Sequence, residues 1–128
     1  TEPLVLVAQN GARHVFNVEV AKTPSQLQQG LMYRNHMAAD RGMLFLFPAE
    51  EVARMWMHNT HMPLDMLFID RDGKIASITA NARPFDDTPI SSHVPVHAAL
   101  EINGGMAQTL GIGVGGEVES ESLKRFLQ

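Results

Sequence analysis

Residues 43–80 read MLFLFPAEEVARMWMHNTHMPLDMLFIDRDGKIASITA, and the punctuation of this stretch decides the fold. Strand-like runs at 43–47, 54–60, 65–69 and 74–80 are separated by Pro48, Pro63 and Asp72-Gly73. Each run is too short for a core helix and rich in residues that suit a pleated surface. The breakers recur too closely to leave room for helical crossovers, which favours antiparallel pairing over βαβ units. Asp70-Arg71-Asp72-Gly73 is the clearest hairpin turn among them.

The flanks repeat the theme. On the N-terminal side, residues 4–8 form a short apolar run, and Asn10-Gly11 after it can take the positive φ of a type I′ turn. Phe16, Val18 and Val20 then alternate with Asn17, Glu19 and Ala21, the period of a half-buried strand. Thr23-Pro24-Ser25-Gln26 is a helix start, with Thr as N-cap, Pro at the first helical position and Gln placed for a capping box. Leu27 and Leu31 share one helical face, and the pattern fails by Arg34-Asn35, so the expected helix is short and covers about residues 24–32.

On the C-terminal side, residues 83–95 carry Pro84, Pro89 and Pro95 and few core residues, which predicts a long surface loop of the kind that often serves function. Residues 98–102 form another strand, Gly104-Gly105 a turn, and residues 106–110 a helical turn. Gly111, Gly113, Gly115 and Gly116 allow tight turns into a last strand at Val118. The expected architecture is a single mainly-β domain over residues 1–128, a compact antiparallel sandwich or barrel with one short helix packed on the sheet.

With 45% apolar and 19% charged residues, the 128-residue chain is a folding globule of ordinary single-domain size. The net charge of -4 and the scattering of the ten basic residues argue against a nucleic-acid partner. No apolar stretch approaches the roughly 20 residues that a bilayer demands, so no transmembrane segment is expected. The lack of cysteine excludes disulfides, thiolate metal sites and a Cys nucleophile. The chain opens at Thr1 without a signal sequence, and the expectation is that an upstream export segment has been removed.

Chemistry concentrates where residues 55–65 read MWMHNTHMPLD, an apolar strand ending in a polar cluster. The same region carries a resemblance. Gly30-Leu31-Met32 with Arg34, Gly42-Met43-Leu44-Phe45, Trp56-Met57 with Asn59-Thr60, Pro63-Leu64-Asp65 and Leu100-Glu101 occur in one order. This array resembles the uncharacterised bacterial and archaeal family catalogued as domain of unknown function 192, over about residues 18–118. The resemblance implies a mainly-β sandwich or barrel, members that commonly carry export signals, and no settled activity. A periplasmic or secreted location is the corresponding expectation. The chain departs from the family pattern at His58, where Lys is common, at Leu27, where Arg is frequent, and at Gly116-Glu117, where Gly-Asp is usual.

Asp65 and Glu101 are the two carboxylates on family-matching positions. Close together they could act as acid and base, or nucleophile, on a glycosidic bond. The structural alternative has Asp65 capping the turn after Pro63 and Glu101 paired with Arg34. Asn59 and Thr60 could donate hydrogen bonds to a ligand or tie down a turn. Trp56, the one tryptophan, could stack on a sugar face or sit in the core. Six histidines raise a metal site, with His58 and His61 three apart and His93 and His97 four apart. Strand alternation separates His58 from His61 and no HExxH is present, so no metal and no cofactor is expected. The glycines at 111–116 lack the Lys-Ser/Thr of a phosphate loop, and no Gly-x-Ser-x-Gly is present.

Three readings remain. The first is an exported cell-envelope module that binds a small polar or carbohydrate-like ligand through Trp56, Asn59, Thr60, Asp65, Glu101 and Arg34. The second is a structural or interaction domain. The third is a hydrolase using Asp65 and Glu101, which requires the two carboxyl groups to converge in space.

Overall fold

The computed structural model describes residues 1–128. In chain order its elements are β1 Glu2–Val7, β2 Arg13–Ala21, α1 Pro24–Gln29, β3 Arg41–Met55, β4 Leu64–Ile69, β5 Ile75–Ala82, β6 Ile90–Asn103, α2 Met106–Leu110, β7 Glu117–Ser120 and α3 Glu121–Leu127. The strands make one sheet in the order β5-β4-β6-β3-β2-β1-β7. The sheet curls until its edges touch. Lys74, just before β5, bridges to Glu117 of β7, and Ile75 exchanges backbone hydrogen bonds with Gly115 and Gly116. The result is the mainly-β, half-barrel architecture that the short, punctuated strands imply.

Several local expectations are corrected. Pairing is antiparallel except between β2 and β3, which run parallel, with α1 and residues 30–40 forming the crossover. The capping box at Thr23 and Gln26 forms, but α1 stops at Gln29. Gly30 takes a positive φ there and donates its N–H to the Gln26 carbonyl. The helical turn expected at residues 106–110 forms as α2, and α3 is an additional short helix. Of the 10–11 turn only Gly11 has positive φ, and Gly11 N–H donates to the Ala8 carbonyl, so the hairpin is a type I turn with a bulge instead of type I′.

Two prolines expected outside strands lie inside them. β3 passes through Pro48 because a register shift between Leu46 and Glu51 leaves that stretch unpaired with β6, and a bulge is where a residue without an N–H is tolerated. Pro95 pairs in register with Val52 inside β6, so the proline-rich loop shrinks to residues 83–89. The expected strand at 54–60 does not exist beyond Met55. The chain leaves the sheet there and returns at Leu64.

Both faces of the central strands are covered. Every residue of β4 is buried, which is why residues 64–69 contain one polar residue. Leu67, Ile69, Leu100, Ile102, Phe16 and Leu44 belong to a core of 17 buried residues inside the curl. Met66, Phe68, Phe45, Ala99, Leu31 and Met57 belong to a second core of 13 on the outer face, roofed by residues 27–37 and 53–62. That outer face carries the cleft described next.

Candidate functional site

Glu101 sits in β6 between Met43 of β3 and Met66 of β4, so its side chain emerges on the outer face. The C-terminal end of α1 and the segment after β3 close over this face incompletely. They leave a cleft of about 290 Å³ whose wall includes Glu101, Leu31, Phe45, Phe47, Trp56 and Thr60. Two glycines make the approach possible. A Cβ on Gly42 would lie 2.6 Å from the Glu101 carbonyl oxygen, and one on Gly30 would lie 3.1 Å from the Phe45 ring. The bulge at Pro48 bends β3 so that Phe45 and Phe47 before it, and Arg54 and Met55 after it, line the same cleft.

The segment following Met55 has no sheet partner and is stitched in place by backbone contacts from two sides. Tyr33 N–H donates to the Asn59 carbonyl at 2.8 Å, Phe85 N–H to the Thr60 carbonyl at 3.1 Å, and Met57 N–H to the Asp86 carbonyl at 3.0 Å. Tyr33, Asn59 and Phe85 all have positive φ, which is unfavourable for bulky aromatic residues and is held here by those bonds. Tyr33 and Phe85 are exposed at the rim, and His61 between them stacks obliquely on Phe85.

Glu101 is 4% exposed. Burial alone pushes its carboxyl up from the usual 4.5 to about 8, with no hydrogen bond or neighbouring charge contributing. At neutral pH it is therefore mostly the neutral acid, able both to donate and to accept. Asp65 is equally buried and entirely different. It accepts backbone N–H bonds from Asn81 at 2.9 Å, Gly105 at 3.0 Å and Ala107 at 2.9 Å, and so supplies the side-chain cap that the N-terminus of α2 otherwise lacks. It pairs in register with Ile102, one residue along from Glu101, and so belongs to the opposite face of the sheet.

Of the six residues expected to form the site, the cleft brings together Trp56, Thr60 and Glu101. Trp56 is 46% exposed at the rim, stacked on His58, and not a core residue. Thr60 is buried with its hydroxyl donating to the His58 carbonyl. Asn59 donates its side-chain amide to the Tyr33 hydroxyl at 3.0 Å, beside the cleft and not in it. Arg34 lies outside it, in a bidentate pair with Glu19, whose carboxyl the guanidinium holds below the usual range. The expected Arg34–Glu101 pair is thus absent, and Asp65 caps α2 and not the turn after Pro63. An Asp65–Glu101 catalytic pair is excluded by the two side chains lying on opposite faces of the sheet.

His58 and His61 turn to Asp87 and Asn35 respectively, and His97 to Glu50. No three His, Asp or Glu side chains are gathered where they could hold a metal ion.

A family model for DUF192, described as uncharacterised ACR, matches residues 5–120. The chain belongs to the DUF192 family. It is similar to a Sinorhizobium meliloti protein of known structure provisionally described as a transcription regulator, with 47% identity, a TM-score of 0.90 and 92% of each chain covered. It is also similar to a Novosphingobium aromaticivorans protein of unknown function, with 42% identity, a TM-score of 0.88, and 92% of this chain and 84% of that one covered. A comparison with curated proteins finds no match.

Four of the five motif stretches that carry the DUF192 resemblance reach the cleft, through Gly30-Leu31-Met32, Phe45, Trp56 with Thr60, and Glu101, and the fifth, Pro63-Leu64-Asp65, does not. Sequence reasoning missed Phe47, Arg54 and Met55, because it took Pro48 as a strand end when the proline marks a bend. A larger depression of about 760 Å³ lies between β1, β7, α3 and the turn at 71–73. None of its ionisable lining residues is buried, and the two whose titration is shifted, Arg71 and Glu119, are held in surface ion pairs with Glu50 and Arg13.

Proposed function

We propose that this DUF192 domain is a small-ligand-binding module whose ligand enters the cleft over Glu101. The observation that carries the reading is a buried carboxyl with no partner in the protein, facing a cleft where the family's motif residues meet. The carboxyl oxygens reach only the cleft and have no protein partner, so they are poorly solvated, and a ligand that satisfies them recovers part of that cost as affinity. Trp56 at the rim offers an apolar face, so the ligand has a polar end and a flat or apolar flank. The other polar side chains of the lining are Thr60, whose hydroxyl donates to the His58 carbonyl, and Gln28, Gln29 and Arg54, which are exposed. The reading is therefore for a small polar ligand in general, of which a carbohydrate-like one is a special case.

The exposed, strained aromatics Tyr33 and Phe85 favour a second reading, an interaction domain that meets a partner through this rim. We place the domain in the cell envelope, on the export signals common among family members; fractionation of cells producing the natural gene product tests this. A nucleic-acid partner is not part of the proposal. The net charge is -4, and Arg13, Arg34, Arg71 and Arg125 are each engaged with an acidic side chain.

The test is a thermal-shift screen of metabolites, sugars and peptidoglycan fragments, followed by Trp56 fluorescence with each hit. A hit that raises Tm and changes Trp56 emission in the wild type, and loses affinity in Glu101→Ala, supports the reading. Hits whose binding is indifferent to Glu101 and maps by NMR to the opposite end of the sheet would refute it.

A further inference from the structure

Resting on the cleft reading, we infer that the group seated against Glu101 is a quaternary or methylated ammonium ion. Three aromatic side chains, Phe45, Phe47 and Trp56, line the same cleft as the unpartnered carboxyl. Aromatic faces carry negative electrostatic potential, which disfavours a lone anion beside them and favours a cation. A carboxyl group that shares a cleft with aromatic rings is thus better suited to a pair with a cation that the rings also attract than to its ionised form alone. Met32 and Met55 complete the wall with polarisable thioethers, compatible with methyl groups on the ligand.

Hydrogen-bonding capacity narrows the cation further. A primary ammonium has three N–H donors to satisfy, and beyond Glu101 the buried part of the lining offers only the Thr60 hydroxyl oxygen as a side-chain acceptor, the Gln28 and Gln29 amides being exposed. A methylated ammonium has few or no such donors and gains from the aromatic and thioether wall instead. The only other ionisable side chain in the lining is Arg54, which is exposed, so water and salt screen its repulsion. Asp65, the other buried acid of β4 and β6, lies behind the sheet and is occupied by three backbone N–H groups.

Seating the cation favours the ionised carboxyl, so the Glu101 O–H bond breaks and its proton passes to buffer. A neutral ligand in the same place leaves that proton where it is. Proton release thus separates the two ligand classes.

The experiment is isothermal titration of the full chain near pH 7 in two buffers of different ionisation enthalpy, using choline and its neutral carbon analogue 3,3-dimethylbutan-1-ol, with Trp56 fluorescence in parallel. Choline is expected to bind with release of a proton, and the neutral analogue to bind about tenfold more weakly or worse. Glu101→Gln, close in shape, should weaken choline about tenfold and leave the neutral analogue unchanged. Equal binding of the two compounds, or choline binding without proton release, overturns the cation inference. If choline fails while a neutral compound seats in the cleft, the inference falls and the cleft reading stands. If neither compound perturbs Trp56, the cation inference falls, and the cleft reading is decided separately by the metabolite screen.

Discussion

Replacing Glu101 by Gln should make the protein more stable, and increasingly so as pH rises. The folded-state pKa of about 8 lies above the ordinary value of 4.5, so the folded protein holds a proton that the unfolded chain gives up. The stability associated with that proton is fully present below pH 4.5 and is lost as pH climbs toward 8. At about 1.4 kcal/mol per pH unit, the loss between pH 4.5 and 7 is on the order of 3 kcal/mol, and nearer 5 kcal/mol by pH 8. Gln keeps the shape and the neutral character of the folded group but does not titrate. The difference in unfolding free energy between variant and wild type should therefore grow by about 3 kcal/mol from pH 4 to 7, equivalent to roughly 10 °C in Tm for a domain of this size. Urea denaturation of both proteins at several pH values reads this directly, since subtraction cancels groups common to the two. A difference that stays flat from pH 4 to 8 would show that water reaches Glu101 freely, and the reasoning from burial would fail.

Other substitutions separate structural from ligand-facing roles. Asp65→Ala removes the acceptor of three backbone N–H bonds and should cost about 3–5 kcal/mol in urea denaturation, with faster amide exchange in α2; a loss under about 1 kcal/mol would contradict its capping role. Gly42→Ala forces a Cβ to 2.6 Å from the Glu101 carbonyl oxygen, a backbone atom that cannot swing aside, and should lower stability by about 2–3 kcal/mol; an unchanged Tm would mean that β3 and β6 part without penalty. Trp56→Ala, at an exposed rim position, should change stability by no more than about 1 kcal/mol yet weaken any ligand found in the cleft, and a severe loss of stability would return Trp56 to the core.

The alternation through Phe16–Val20, the capping box at Thr23 and the closely spaced breakers from Pro48 to Gly73 settled the mainly-β class, because each is a local rule about backbone shape and side-chain period. The ordered motifs settled the family. What local rules cannot contain is which strands become neighbours, and every larger correction comes from there. Pro48 and Pro95 remain inside strands through the way β3 and β6 pair with one another, a property of the pair and not of either segment. β2 and β3 are parallel because the chain crosses over before re-entering the sheet.

The site divides the same way. Trp56, Thr60 and Glu101 were legible as polar or aromatic residues on matching positions. Asp65 looked like their equal until register placed it on the opposite face from Glu101, where backbone N–H groups surround it. The sequence by itself determined the strand-forming pattern and the presence of two acids within a family motif. Tertiary structure alone decided that one acid is tied to the backbone and the other stands unpartnered at a cleft, because burial and partners belong to the packed sheet, and a shift of one residue along a strand exchanges its two faces.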